Sequence, residues 1–230
     1  MDTDIFALQE QITHIQALGQ SADTTYYSAQ YTGTAETIAH FAFQDLRSLF
    51  GILPPDVFMR AGKALHLTHW ARTHQYCGSC GTATIEKSDE RARLCPTCAQ
   101  VYYPRISPAI ITAIIREDKI LLARSDTAAY KKFSLIAGFV EPGETLEECV
   151  AREIYEEVGL TVKNIRYFNS QPWPFPESLM IGFIADYAAG EIAIDNKEIS
   201  EARWFTREEI PDPPNTISIA GQLIGWWLEQ

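Results

Sequence analysis

The stretch GFVEPGETLEECVAREIYEEVGL, residues Gly138 to Leu160, decides the fold of its part of the chain. It holds seven acidic side chains and a single basic one. Thr145 and Glu148 have the spacing of a capping box, and Gly159 stands where a glycine would end the helix. The pattern therefore predicts one helix, from about Leu146 to Val158.

The predicted helix has an apolar sector that carries two acidic residues. At about 100° per residue, the residues that share this sector and should face the core are Leu146, Cys149, Val150, Ile154 and Val158. Glu153 and Glu157 are four residues apart, so they lie on one face, and they fall in the same sector. Cys149 belongs to the core face, which favours buried packing over catalysis.

Two glutamates in this position need a cationic partner. They repel each other, oppose the helix dipole near its C-terminal end and lie against apolar neighbours. Arg152, the one basic residue of the segment, is expected to pair with one carboxylate and not with three. A divalent ion fits better, because Mg²⁺ and Mn²⁺ prefer oxygen ligands and bridge carboxylates to substrate phosphates. The segment therefore predicts phosphate chemistry.

Four of the five cysteines form a second motif upstream. CGSC, fourteen residues and CPTC place Cys77, Cys80, Cys95 and Cys98 at the spacing of two zinc knuckles. A redox Cys-x-x-Cys would account for one pair but not for two pairs this close together. Four thiolates leave no open coordination position, so the predicted Zn²⁺ is structural.

The cysteine motif also allows a nucleic-acid-binding function. Lys87, Arg91, Arg93 and Arg105 lie in or beside it. These cations either contact nucleic acid or simply solvate the surface. The formal net charge of -11 opposes non-specific DNA or RNA binding, since it repels the phosphate backbone.

Length and composition limit the class of protein. With 230 residues, of which 46% are hydrophobic, the chain can bury the core of one large domain or two modest ones. It has no apolar run of about eighteen residues or more. Its start, MDTDIFALQEQ, lacks the basic and apolar regions of a secretory signal. We therefore expect a cytoplasmic protein without a membrane segment.

Strands and helices alternate along the chain. Downstream of the cysteines, the predicted elements are a hairpin in SPAIITAIIREDKILLARS with its turn at Arg116 to Lys119, a strand NIRYFNSQ, a loop QPWPFPE, a strand SLMIGFIADYAA and a last helix over about 217–228. Upstream, QDLRSLFG and the segment after Pro54 and Pro55 predict two helices, the second with Asp56 as its N-cap. The alternation indicates a layered α/β or α+β domain.

The fixed places of the acidic segment follow a known pattern, G-x5-E-x7-R-E-U-x-E-E-x-G-U with U apolar. The matching residues are Gly138, Glu144, Arg152, Glu153, Ile154, Glu156, Glu157, Gly159 and Leu160. The segment thus resembles the Nudix box, with none of its carboxylates missing. Nudix hydrolases split a nucleoside diphosphate linked to another group, using divalent metals and a water nucleophile.

A second stretch narrows the resemblance. SQPWPFPES, from Ser170 to Ser178, is similar to the signature of the NADH pyrophosphatase subfamily, whose members carry a four-cysteine zinc ribbon before the Nudix domain. The implied fold is α+β: a Nudix α/β/α sandwich (105–230), preceded by a four-cysteine zinc ribbon (76–104) and a small N-terminal α/β domain (1–75). The prolines of the stretch would stiffen it and present Trp173 and Phe175 to a flat ring. The alternative is an aromatic loop that plugs the core.

The resemblance implies a role for individual residues. The carboxylates implied to bind Mg²⁺ or Mn²⁺ and to catalyse hydrolysis are Glu153, Glu156, Glu157 and the later Glu198. Either Glu156 or Glu198 would take the proton from water, the carbonyl of Ala137 would join the metal shell, and Arg152 would orient the carboxylates. The positions implied to bind substrate are Glu90, Tyr103, Phe139, Gln171, Pro172, Trp173, Pro174, Phe175, Pro176, Glu177, Ser178, Ala220 and Arg47.

The implied activity is cleavage of NADH or NAD to nicotinamide mononucleotide and AMP. Removal of NAD caps from RNA 5′ ends breaks the same bond, and the subfamily is dimeric, which implies a homodimer here. Two alternatives remain at this point. A Nudix hydrolase for another nucleotide, such as ADP-ribose, would keep the carboxylates but should not need SQPWPFPES, and a zinc-ribbon binding protein with an inactive Nudix fold should lack a box carboxylate.

Overall fold

The computed structural model describes residues 11–33, 42–125, 132–194, 198–211 and 216–230. Chain contacts divide the protein into two compact units. The first comprises Met1–Ile106 together with Pro174–Glu177, and the second comprises Ser107–Trp173 and Ser178–Gln230.

The first unit combines a hairpin, a long helix and a small sheet. Its elements are strands β1 (Ile12–Ser21) and β2 (Thr24–Tyr31), a 3-10 turn (Leu46–Leu49), helix α1 (Pro55–Thr73) and strands β3 (Ile85–Glu86), β4 (Arg93–Leu94) and β5 (Val101–Tyr102). β1 pairs with β2, and β3, β4 and β5 form one antiparallel sheet. Helix α1 packs against the hairpin through Leu67, Trp70 and Ala71, with Leu18 of β1 beside them.

The start of α1 differs from the sequence prediction. Pro54 is the N-cap, Pro55 is the first helical residue, and Asp56 lies in the first turn, so the prediction of Asp56 as N-cap was wrong. Proline suits this place because its missing N–H would have no partner inside the helix. The helix predicted at QDLRSLFG is only the short 3-10 turn, capped by Asp45.

The second unit is built on a seven-stranded sheet. Its strands are β6 (Ser107–Arg116), β7 (Lys119–Ser125), β8 (Phe133–Ser134), β9 (Ile136–Phe139), β10 (Thr161–Trp173), β11 (Ser178–Ala189) and β12 (Ile199–Phe205), and its helices are α2 (Leu146–Val158) and α3 (Ile219–Leu228). The strand order is β10-β11-β6-β7-β12, with β9 on β6 and β8 on β7. β6 and β7 form the predicted hairpin, while β6 and β11 run parallel.

Each face of this sheet is covered by one helix. Ile110 and Ile114 of β6 join the core with α2, whereas the alternate residues Ile111 and Ala113 join the core with α3. The middle of β6, from Ala109 to Ile114, is buried on both faces and is apolar except for Thr112. The result is the predicted layering of helix, sheet and helix.

Three predicted boundaries change in the structure. β10 runs to Trp173, so the expected loop QPWPFPE is only the four-residue turn Pro174–Glu177. The segment between the predicted strand SLMIGFIADYAA and the last helix, for which we predicted no strand, contains β12. α3 begins at Ile219, two residues later than expected, because the Ser218 side chain caps it by accepting from the Gly221 N–H at 3.1 Å.

Helix α2 has the predicted bounds. Thr145 accepts a hydrogen bond from the Glu148 N–H at 3.2 Å, and Glu148 accepts in return from the Thr145 N–H at 2.8 Å. Gly159 ends the helix in the left-handed conformation at φ 70°. Cys149, Val150, Ile154 and Val158 are fully buried, as the apolar sector predicted. Of the helices among the described residues, none is both long and apolar enough to cross a membrane.

Thr145→Ala should destabilise the protein through α2. The substitution removes the capping hydroxyl and leaves one helical N–H without its partner, which costs about 1 kcal/mol in the free energy of unfolding. Thr145→Ser keeps the hydroxyl and should stay within a few tenths of a kcal/mol of the wild type. Urea unfolding of the three proteins measures the difference, and equal midpoints would contradict the role of the cap.

Candidate active site and zinc site

Two glutamates of α2 are held at the inner side of the helix. Glu157 is 8% exposed, and the side chain of Glu153 is 14% exposed. A Cβ added at Gly138 of β9 would lie 1.9 Å from the carboxyl carbon of Glu153. Gly138 is therefore needed because the Glu153 carboxylate occupies the space that any larger residue would fill.

Arg152 organises the acidic side chains around it. Its Nε and one terminal nitrogen donate to the two oxygens of Glu144 at 2.7 and 2.9 Å. The other terminal nitrogen donates to Glu153 at 2.9 Å and to Glu156 at 3.0 Å. The expectation that Arg152 pairs with only one carboxylate was wrong, because the planar guanidinium carries five N–H donors that point in different directions.

The contacts in this network shift the pKa values of Glu144 and Glu153 in opposite directions. Arg152 lowers the pKa of the Glu144 carboxyl to about 2, so this carboxylate is ionised at neutral and mildly acidic pH. Burial raises the pKa of Glu153, and the negative charges of Glu156 and Glu198 add to the shift. The Glu198 effect indicates that the structure brings this residue, distant in sequence, to the same cluster.

The cluster is suited to a hard divalent cation. Arg152 brings one positive charge to the three carboxylates that it contacts, so they keep a net negative charge. Their donor atoms are all oxygen, the type that Mg²⁺ and Mn²⁺ prefer. The carboxylate of Glu153 fills the cradle left by Gly138, beside Ala137 on the same strand. Glu156, with its side chain 59% exposed, keeps contact with solvent.

Two neighbours of the network have different environments. The ring of Phe139 is exposed, while its carbonyl accepts from Arg152 at 3.0 Å. This leaves the ring open to a stacking partner. Cys149 is fully buried, and burial raises the pKa of its thiol to about 12, so it stays protonated as packing requires.

The turn Pro174–Glu177 is packed into the first unit. The guanidinium of Arg47 lies 4.6 Å from the centre of the Phe175 ring, and the Phe58 ring centre lies 6.4 Å away. Pro174 is buried against Gly62, where an added Cβ would lie 2.8 Å from the proline ring. The Phe175 ring, expected to be presented to a flat base, is thus packed among protein side chains.

The other residues of the SQPWPFPES stretch have mixed surroundings. Gln171 donates to the Ile217 carbonyl at 2.7 Å and accepts from the Ile219 N–H at 2.8 Å, so its amide braces the start of α3, next to Ala220. Glu177 is buried and forms an ion pair with Arg105 at 3.6 Å. The remaining members run from exposed to buried: Pro172 and Pro176 exposed, Trp173 half-buried, Ser178 buried.

Glu90 and Tyr103, predicted to bind substrate, are neighbours in the first unit. The Tyr103 hydroxyl donates to Glu90 at 3.2 Å, and the charge of Glu90 raises the pKa of Tyr103. Lys87 forms an ion pair with Glu90 at 3.3 Å. The tyrosine ring itself is exposed. The pair therefore offers an aromatic surface and a carboxylate side by side.

The four cysteines are brought together as the spacing predicted. Their sulfur atoms all lie within 4.8 Å of one another, which among the described residues is the one such group of possible metal ligands. The sulfur separations are 3.5 Å for Cys77 and Cys98, 3.5 Å for Cys80 and Cys95, and 3.8 Å for Cys80 and Cys98. Sulfurs bound tetrahedrally to Zn²⁺ at about 2.3 Å lie about 3.8 Å apart, so the geometry fits this ion.

Two turns of the same design hold these cysteines. The Cys77 N–H donates to the Thr82 carbonyl at 2.8 Å, and the Cys77 carbonyl accepts from Gly81 at 2.9 Å. In the second turn, the Cys95 N–H donates to Gln100 at 2.8 Å, and its carbonyl accepts from Ala99 at 3.0 Å. The backbone thus presents the first sulfur of each pair in the same way.

Sequence reasoning missed Tyr102 beside this site. Its hydroxyl lies 3.1 Å from the Cys77 sulfur and lowers the pKa of that thiol to about 6. The contact favours the thiolate, which is the form that binds zinc. Spacing rules identify ligands but not the side chains behind them, and Tyr102 lies 25 residues after Cys77, on β5.

Known families match both sites. The NUDIX domain matches residues 105–226, which contain the acidic cluster. The NADH pyrophosphatase zinc ribbon domain matches residues 72–103, which contain the four cysteines.

Named relatives are similar along most of the chain. A Deinococcus radiodurans protein named NAD-capped RNA hydrolase NudC is 43% identical over 212 residues, 90% of this chain and 75% of the relative. A Chromobacterium violaceum protein of the same name is 49% identical over 179 residues, 78% of this chain and 68% of the relative. Among solved structures, a NUDIX hydrolase from Nitrosomonas europaea has a TM-score of 0.59 and 26% identity, over 67% of this chain and 90% of that one.

These matches confirm the resemblance drawn from Gly138–Leu160 and from the cysteine spacing, and with it the α+β fold class. The NUDIX match spans more than half of the chain, and both relatives cover more than two thirds of it. The chain therefore belongs to the NUDIX hydrolases, in the group that carries the NADH pyrophosphatase zinc ribbon.

Proposed function

We propose that the protein hydrolyses the pyrophosphate bond of NADH and NAD to nicotinamide mononucleotide and AMP, and that it removes NAD caps from RNA 5′ ends. One observation carries the proposal: relatives named NAD-capped RNA hydrolase are 43% and 49% identical to this chain, which keeps every carboxylate of the acidic box. The box carboxylates argue against the alternative of an inactive Nudix fold that only binds nucleic acid.

The carboxylates of α2 are proposed to hold the divalent cation. Glu153, Glu157 and Glu198, with the Ala137 carbonyl, are its proposed ligands, and Glu156 either joins them or stays the solvent-exposed base. When bound, Mg²⁺ or Mn²⁺ neutralises pyrophosphate charge and lowers the pKa of water. Arg152 orients Glu153 and Glu156 through its hydrogen bonds of 2.9 and 3.0 Å to them. Either Glu156 or Glu198 takes the proton of the attacking water.

The proposed substrate contacts are of two kinds. The exposed rings of Phe139 and Tyr103 offer flat surfaces for the nicotinamide or adenine ring, and Glu90 offers a hydrogen-bond acceptor beside Tyr103. Stacking of a base on an aromatic side chain is worth about 1 to 3 kcal/mol. The proposed supporting positions are Gln171, Pro172, Trp173, Pro174, Phe175, Pro176, Glu177, Ser178, Ala220 and Arg47. Of these, Phe175 and Arg47 pack on each other, which supports a role in shaping the turn.

The zinc and the assembly complete the proposal. Cys77, Cys80, Cys95 and Cys98 are the proposed ligands of one structural Zn²⁺. The division into an N-terminal domain (1–75), a ribbon (76–104) and a Nudix domain (105–230) is part of the proposal. So are the homodimer and the cytoplasmic location, which stay predictions.

Substrate choice should follow the SQPWPFPES stretch. With Mg²⁺ or Mn²⁺, we expect NADH and NAD-capped RNA to be cleaved faster than ADP-ribose, with nicotinamide mononucleotide released in both reactions, as measured by chromatography.

Glu157→Gln removes the charge of a proposed metal ligand, and hydrolytic activity should fall on the order of 10² to 10³-fold, the effect of losing one group that stabilises transition-state charge. Fastest cleavage of ADP-ribose would overturn the substrate assignment, and full activity of Glu157→Gln would overturn the metal site.

Gly138→Ala should displace the Glu153 carboxylate. The new Cβ would lie 1.9 Å from its carboxyl carbon, so we expect Mn²⁺ binding, followed by electron paramagnetic resonance, to weaken by at least about tenfold. Gly143→Ala is the matched control. Gly143 has φ 91° but nothing within 4 Å of an added Cβ, so this variant loses stability without moving Glu153. Unchanged Mn²⁺ affinity in folded Gly138→Ala would refute the contact.

Zinc content tests the cysteine site directly. The purified protein should carry one Zn²⁺ per chain, measured by atomic absorption, and Cys95→Ser should carry much less because one thiolate of the closed set is lost. Cys149→Ala removes the cysteine that lies outside the ribbon and should keep the full zinc content. A zinc-free protein with all thiols reduced would contradict the assignment.

A further inference from the structure

Tyr102 occupies a particular place behind the proposed zinc ligands. Its hydroxyl oxygen lies 3.1 Å from the sulfur of Cys77 and 3.0 Å from the backbone nitrogen of Gly78. The ring packs against His74, with the ring centres 6.1 Å apart. The hydroxyl thus contacts the first cysteine turn, while the ring of the same side chain packs against His74.

The hydrogen-bond directions follow from the groups present. The Gly78 N–H can only donate, so the Tyr102 oxygen accepts from it and keeps its own proton available for Cys77. A cysteine that binds zinc is a thiolate without a proton and can only accept. With zinc bound, Tyr102 must therefore be the donor and Cys77 the acceptor.

Tyr102 also adjoins a residue of the proposed substrate site. Tyr102 is the last residue of β5, and Tyr103 follows it directly in the chain. The Tyr103 hydroxyl donates to Glu90 at 3.2 Å. One short segment thus carries a contact to the zinc site and a contact to the substrate-facing pair.

We propose that Tyr102 is a positioning residue, whose hydrogen bond to the zinc-bound sulfur of Cys77 strengthens zinc binding and lets zinc occupancy fix the place of the Tyr103–Glu90 pair. The effect on zinc binding is independent of the enzyme's activity. The effect on the Tyr103–Glu90 pair rests on the proposed function, because it supposes that this pair contacts the substrate.

Tyr102→Phe tests the hydrogen bond. It removes only the hydroxyl, and competition with a chromophoric chelator should show zinc affinity lower by about 10 to 100-fold, the usual effect of losing such a partner of a metal ligand. In the Co²⁺-substituted protein, the thiolate charge-transfer band should shift in the variant. Tyr76→Phe is the matched control: Tyr76 is 67% exposed, precedes Cys77 in the chain, and should keep the wild-type affinity and band.

The link to substrate binding is tested by graded zinc removal. As a chelator withdraws zinc, the KM for NADH should rise while kcat changes little, because the carboxylates of α2 are not part of the ribbon. Tyr102→Phe should show the rise at a lower chelator concentration and return to the wild-type KM at saturating zinc. In the wild-type protein, the amide resonances of Gly78, Glu90 and Tyr103 should shift together during the titration, a readout that needs no variant.

The hydrogen bond and the link to substrate binding can each be refuted by a separate result. Wild-type zinc affinity in folded Tyr102→Phe, or an unmoved Gly78 resonance if that variant does not fold, refutes the hydrogen bond. A KM that stays constant while zinc leaves, or static Glu90 and Tyr103 resonances, refutes the link. If the wild-type protein does not cleave NADH at all, the proposed function fails, while the zinc titration and the resonances still decide the role of Tyr102.

Discussion

The second unit depends on the contacts of one guanidinium. Arg152 binds Glu144 through two hydrogen bonds and reaches Glu153 and Glu156 with its remaining donors. Each carboxylate would otherwise face like charges, on or beside a helix whose inner side is mostly apolar. Because the arginine neutralises only part of that charge, the three carboxylates keep a net negative charge, which the proposed divalent cation would offset. Structure and proposed catalysis thus use the same side chains.

The cysteine ribbon has too little secondary structure to be stabilised by a core of its own. A segment with three two-residue strands buries little apolar surface, so a closed set of four thiolates around zinc is the natural source of its stability. Its backbone repeats one turn twice, which places Cys77 and Cys95 equivalently. Tyr102 contacts Cys77 in the first of these turns, and the next residue, Tyr103, donates to Glu90.

Local signals predicted α2 and the β6–β7 hairpin well, because the capping residues, the apolar period and the turn all act within a few residues of one another. The same reasoning was wrong at Asp56, where Pro54 and Pro55 set the helix start instead. It also missed β12, a strand that is recognised only through its pairing with β7. The number of carboxylates that Arg152 contacts was underestimated, because a sequence does not show how many hydrogen-bond acceptors surround a side chain.

The sequence by itself determined the family, the position of the acidic helix and the cysteine set, since each rests on residue types at fixed spacing along one short segment. The tertiary structure decided which groups meet across the chain. It brought Glu198 to Glu153, gave Gly138 its role as the cradle of a carboxylate, placed Arg47 on the Phe175 ring and put Tyr102 behind Cys77. Those contacts depend on strand pairing and on packing between distant segments, which no local pattern encodes.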